Sequence, residues 1–363
     1  MTAQRFDYGR RLDDFVPGAI HRHPFELTLD EVIAGPYMAS FIDATPAWSS
    51  DRWAPVFGLQ RRPIAPHLLL NIGLSTSVHD VSQQAIAHLA YVRVEFPKPL
   101  PVGGTVRGAT RILEARPSSK GDKGVVSVQT VLTDESGDRV LDFERKALVR
   151  AGNLVDRPAV ADNAGEEALG RLPEGLIDRL SAMRPSDELF IPPLFGAFGD
   201  LQVGQVFCHA NGRTVAESEH MQLSAVCRNS HPLHWDSVYS AANSFTGERV
   251  VYGGLVLAWT LTQTTLDLGG HVLWESGWSD GAHPAPVLAG DTIFAATKIL
   301  SKRSVGPAVG EVEMRVVGVK NRRPEAIVAS GADLFEAERN KPTDARIADK
   351  VVEITRRVLV LKR

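Results

Sequence analysis

The run Asn229-Ser-His-Pro232-Leu-His234-Trp-Asp236 brings amide, imidazole and carboxylate side chains together around one proline. Histidine can take up and return a proton near neutral pH, which makes His234 a candidate acid–base group. Asn229 cannot exchange a proton, but its amide can orient a water molecule or an imidazole. Further on, Tyr252-Gly253-Gly254 opens the apolar stretch GLVLAWTLTQTTLD. Glycines at the start of a buried helix let a ligand approach the backbone closely. They also leave N–H groups at the positive end of the helix dipole, suited to stabilising negative charge on an oxygen.

Composition sets the limits. The chain has 363 residues, 44% of them hydrophobic and 23% charged, which is globular and long enough for two domains. A net charge of −3 without long Lys/Arg runs gives no footprint for nucleic acid or an anionic membrane. The cysteines, Cys208 and Cys227, have neither disulfide-framework nor zinc-site spacing. The first residues are charged, and no apolar run approaches the roughly 18 residues a membrane span needs. The reading is therefore a cytoplasmic protein without a metal or redox cofactor.

An internal repeat organises the chain. GGTVRGATRILEAR, starting at Gly103, aligns with GDTIFAATKILSKR, starting at Gly290, 187 residues on. Earlier pairs, including Asp14/Asp200, Thr28/Thr214, Glu31/Glu217 and Pro46/Pro232, are 186 apart; Arg145/Arg356, Leu148/Leu359 and Val149/Val360 are 211 apart. The wider offset places an insertion at about 321–350. Residues 1–150 and 197–363 thus form two units, with 151–196 as a linker holding a short helix around 174–183.

Each unit starts with the pattern of a capping box, Thr28-x-x-Glu31 or Thr214-x-x-Glu217, which predicts helices over 29–42 and 215–227. More apolar, fully buried helices follow at 66–77 and 254–267. Period-two alternation then predicts strands at 90–96, 105–115, 124–133 and 139–149, and at 271–276, 292–301, 310–319 and 351–361. A buried helix wrapped by a curved antiparallel sheet, present twice, is an α+β tandem double hotdog.

The 229–236 run resembles the signature of MaoC-like (R)-specific enoyl-CoA hydratases, with Asn229 where that family usually has Asp. The stretches VHDVSQQAIAHLAYVRVEF (78–96), KGDKGVVSVQT (120–130), RVVYGGLVLA (249–258) and DGAHPAPVLAGDTI (280–293) are similar to mesaconyl-CoA hydratases, also called β-methylmalyl-CoA dehydratases. The resemblance implies a hydro-lyase for a short 2-enoyl-CoA, branched and dicarboxylic such as mesaconyl-CoA, with CoA as part of the substrate, and a pairing of two such chains. His234, Asn229 and the Gly254 N–H would be catalytic. Gly253, Tyr252, Asp236 and His283 would bind substrate, and His220 would be a further pocket residue. Arg228 or Arg62 could meet a substrate carboxylate.

Carried back through the repeat, the motif puts Asp43 opposite Asn229 and Trp48 opposite His234, while Pro66 and His67 replace the two glycines. The first unit's site is read as degenerate, and its role as completing the sheet and walling the acyl-CoA pocket. The rival readings are a straight-chain enoyl-CoA hydratase, a non-catalytic acyl-CoA-binding protein and a hotdog thioesterase.

Overall fold

The protein was analysed as a computed structural model that describes residues 7–154, 163–184 and 189–362. Its frame is a ten-stranded antiparallel sheet. The first five strands are β1 (Ile20–Thr28), β2 (Ala85–Glu95), β3 (Thr105–Pro117), β4 (Lys123–Thr133) and β5 (Arg139–Arg150). The second five are β6 (Val206–Thr214), β7 (Val272–Ala282), β8 (Thr292–Ser304), β9 (Val309–Lys320) and β10 (Lys350–Leu361). Their spatial order is β1-β3-β4-β5-β2-β7-β10-β9-β8-β6, so the halves repeat one topology and meet through β2 and β7. At that seam Tyr91 pairs with Gly281, where a Cβ would lie 2.9 Å from the tyrosine ring.

Each half wraps one core helix, Pro66–Thr76 in the first and Gly253–Gln263 in the second. Every residue of Pro66–Thr76 is buried, and leucines at 68, 69, 70 and 74 fill the space under the sheet. Each such leucine contributes about 1.5–3 kcal/mol of transfer free energy. Pro66 occupies the first helical turn, where its missing N–H leaves no bond unmade.

The two core helices touch directly. Asn71 Nδ2 donates to the Gly254 carbonyl at 3.1 Å, and the Tyr252 hydroxyl donates to the Asn71 carbonyl at 3.2 Å. A Cβ on Gly254 would stand 1.9 Å from Asn71 Oδ1. The glycine is therefore required by helix-to-helix approach, whatever a ligand asks of it.

The expected double hotdog is the observed fold, with three local corrections. Strands β1 and β6 were missed, because edge strands with sequences such as IHRHPFELT lack a clean apolar alternation. Thr28 and Thr214 are not helix caps: they end these strands, with hydroxyls paired to Thr105 and Thr292 across the ladder at 3.0 and 2.7 Å. The first short helix, Glu31–Ala39, is instead capped by Asp30, whose carboxylate accepts from Val32 N. The second, Glu217–Val226, has no side-chain cap. Among the described residues no helix is long and apolar enough to cross a membrane.

Candidate active site

A cavity of about 360 Å³ opens between the units beneath the start of the second core helix. His234, Asn229, Tyr252, Gly253, Gly254 and His283 all line it, so the fold unites residues spread over more than fifty positions.

The 229–236 run holds its shape through local hydrogen bonds. Asn229 Oδ1 accepts from His231 N at 3.0 Å, and His231 Nδ1 accepts from Leu233 N at 3.1 Å. Trp235 Nε1 donates to the Asn229 carbonyl at 2.6 Å. Pro232 begins the single turn that carries His234. With its oxygen occupied by the turn, the Asn229 amide retains Nδ2 as a donor, and the residue lines the cavity.

His234 Nδ1 lies 2.7 Å from the Val250 carbonyl. A carbonyl only accepts, so Nδ1 carries the proton and the neutral ring keeps its lone pair on Nε2. Burial lowers the His234 pKa to about 4, partly opposed by the Val250 carbonyl. The ring is therefore a neutral acceptor at physiological pH. Tyr252 packs against it with ring centroids 5.4 Å apart, while the tyrosine hydroxyl is engaged with Asn71. Tyr252 thus positions His234 and offers the cavity a ring face.

The Gly253–Gly254 segment is the first turn of its helix, where no carbonyl four residues back awaits the N–H groups. At Gly253 a Cβ would come within 3.2 Å of the His283 ring. His283 Nδ1 lies 3.3 Å from the Val351 carbonyl, and its Nε2 lies 3.3 Å from the Tyr91 hydroxyl.

Other sequence candidates fall elsewhere. Asp236 is exposed and caps the helix Ser237–Asn243 by accepting from Tyr239 N, so it does not reach the cavity. His220 is buried but is not a cavity wall. Arg62 is held by Glu31 at 2.9 Å, and Arg228 is exposed in the left-handed region at φ 61°. Neither of these arginines can meet a ligand in the cavity. The first unit does wall the cavity as expected, but sequence reasoning did not name the residues that form this wall: His88 and Tyr91 on β2 and Arg145 on β5. Two of these lie in a stretch that carried the family resemblance, which was the available signal.

In the first unit the corresponding place is filled by its own side chains. Asp43 Oδ1 accepts from Thr45 N at 2.9 Å, the same turn that Asn229 makes. Its Oδ2 accepts from Trp48 Nε1 at 2.7 Å and lies 3.2 Å from His67 Nε2. Burial opposes ionisation of Asp43, but hydrogen bonds from His67, Trp48 and Thr45 outweigh it and hold the pKa below the ordinary carboxylate value. His67 stands where Gly254 does in the second unit, and Tyr37 at 3.1 Å closes the cluster.

A tandem double hotdog of this kind is the fold of solved MaoC-like proteins. Accordingly, the structure superposes on a MaoC domain dehydratase from Chloroflexus aurantiacus with a TM-score of 0.80 and 24% identity, covering 99% of this chain and 100% of the other. It also matches a Mycobacterium tuberculosis double hotdog protein at TM-score 0.66 and 21% identity, covering 96% and 98%. The chain belongs to the mesaconyl-CoA hydratase family, whose profile matches residues 2–335. It is 30% identical to a mesaconyl-CoA hydratase from Cereibacter sphaeroides, over 86% of this chain and 90% of that one. It is 27% identical to a β-methylmalyl-CoA dehydratase from Chloroflexus aurantiacus, over 86% and 89%.

Proposed function

We propose that the protein catalyses the reversible addition of water to a short, branched, dicarboxylic 2-enoyl-CoA such as mesaconyl-CoA, giving β-methylmalyl-CoA. The observation that carries this reading is the fixed tautomer of His234, a half-buried neutral imidazole with Nε2 free in the cavity that the Gly253–Gly254 helix start also lines. Family membership supports the choice of acyl group.

In hydration, His234 Nε2 takes a proton from water as the water oxygen bonds to C3. The C2=C3 electron pair moves toward the thioester, and negative charge gathers on its oxygen, where the Gly254 N–H stabilises it. The imidazolium then returns its proton to C2 as the enolate collapses. With Asn229 unable to titrate, one imidazole serves both steps, so proton and hydroxyl arrive on the same face. The Asn229 Nδ2 donor holds the water by its oxygen. No atom beyond water and the thioester is consumed, and the reverse sequence is the dehydration.

The test is incubation with mesaconyl-CoA and crotonyl-CoA, following loss of enoyl absorbance and release of free thiol. Loss of absorbance without thiol supports the hydratase, with mesaconyl-CoA expected to be preferred. Thiol release without hydration would replace this reading with a thioesterase, and tight binding without turnover would replace it with an acyl-CoA-binding protein.

A further inference from the structure

The two units place an arginine at the same point of the same strand but surround it differently. On β10 Arg356 pairs with Trp278 of β7, and on β5 Arg145 pairs with Tyr91 of β2. Each guanidinium reaches the residue that ends its own unit's core helix: Arg356 Nη1 lies 3.5 Å from Thr264 Oγ1, and Arg145 Nη2 lies 2.8 Å from Ser77 Oγ. Three positions before Trp278 stands Glu275, 2% exposed and ion-paired with Arg356. Three positions before Tyr91 stands His88. The second unit neutralises its buried arginine internally; the first has histidine where that carboxylate would be.

Arg145 is 4% exposed, and Ser77 is its hydrogen-bond partner among the described residues. Among the described residues its Nε is buried with no hydrogen-bond partner, as are both ring nitrogens of His88. Both side chains line the cavity, whose walls contain no aspartate or glutamate among the described residues. Burial lowers the Arg145 pKa to about 10, which leaves it cationic at neutral pH. Removing one member of a buried ion pair is strongly unfavourable unless something else supplies the opposite charge. Here the cavity is open to a ligand that can.

We infer that Arg145, assisted by a ring N–H of His88, binds the carboxylate at the far end of the substrate's acyl group, and that Glu275 in the other unit marks the position that ligand charge takes. A planar guanidinium matches a carboxylate through paired N–H donors. Its burial within the sheet suits the small acyl end of the thioester rather than the hydrated phosphates of CoA. The identity of the thioester rests on the hydratase reading above; the charge preference does not.

The test therefore measures binding with saturated, unreactive analogues: 2-methylsuccinyl-CoA esterified at C1, and 2-methylbutyryl-CoA, which carries a methyl group in place of the carboxylate. Calorimetry should show the intact protein preferring the carboxylated ester by about 100-fold, the range expected of a desolvated charge pair. In Arg145→Met that ratio should fall to within about threefold of unity. His88→Glu recreates the Arg356–Glu275 arrangement. It should abolish the preference while keeping or raising Tm, so the question is decided even if Arg145→Met does not fold. A ratio near one in the unaltered protein, or a preference that survives either substitution in folded protein, would overturn the inference. A protein that discriminates the two esters but hydrates no enoyl-CoA would instead overturn the hydratase reading and leave this subsite standing.

Discussion

His234 Nδ1 and the Val250 carbonyl lie 2.7 Å apart, and this single contact decides which ring nitrogen faces the cavity with a lone pair. Val250 immediately precedes the Val251-Tyr252 approach to the second core helix, so the same segment that presents the glycine N–H groups also orients the proposed base. The two halves of the chemistry are therefore coupled through the backbone.

Replacing His234 tests that coupling. His234→Ala should lower kcat for hydration by about 10²- to 10⁴-fold, the usual share of a positioned acid–base group. His234→Gln should be equally impaired, because an amide can fill the space but cannot shuttle the proton. Circular dichroism and Tm should stay close to those of the unaltered protein, which separates lost chemistry from lost fold.

Asn229 joins a turn to the cavity. Asn229→Ala removes both the acceptor for His231 N and the cavity amide, and kcat should fall by about 10- to 100-fold through misplacement of water. Asn229→Asp keeps the turn, as Asp43 does in the first unit. A carboxylate in the same cavity wall favours the imidazolium, so the acid limb of the pH–rate profile should move to higher pH. An unmoved limb would show that residue 229 does not sense His234.

Gly254→Ala should be destabilising because its Cβ would press on Asn71 Oδ1 and the Tyr252 ring. Overpacking of this kind costs about 1–3 kcal/mol, read as a fall in the urea midpoint. Asn71→Ala removes the obstructing amide. The double substitution should then lose less stability than the sum of the single changes, and a double-mutant cycle measures the difference.

Acid should destabilise the protein before it inactivates it. His23 and His283 are lowered by burial to about 4, like His234, and His231 to about 3. Below pH 6.5 the unfolded chain binds protons that these folded-state rings refuse, so unfolding becomes progressively easier as pH falls toward 4. Stability against urea should be flat above about pH 7 and decline from about 6.5 downward. The rate of hydration, which needs neutral His234, should hold until nearer pH 4 in protein that is still folded.

Much of this molecule is written locally. The repeat, the buried core helices and eight of the ten strands follow from periodicity in the chain, because alternation and apolar runs reflect which side of an element meets the core. The Asn229–Asp236 run is legible as a motif, because its resemblance to a family signature lies within a few consecutive residues. Most of the residues that line the cavity on the second unit could therefore be listed in advance, along with Trp48 standing opposite His234 in the first.

Tertiary structure decided the rest. Thr28 carries the pattern of a cap and serves as a strand end, because Thr105, far along the chain, offers a better partner. Asp236 looks like part of the cavity and instead caps a helix on its outside. Arg145 and His88 look unremarkable in sequence, and they reach the cavity only because β2 pairs with β7 across the two units. Sequence periodicity encodes whether a side chain faces inward, but not which other half of the molecule waits there. Only the closed sheet shows that the residues around His234 are completed by the unit whose own site has filled in.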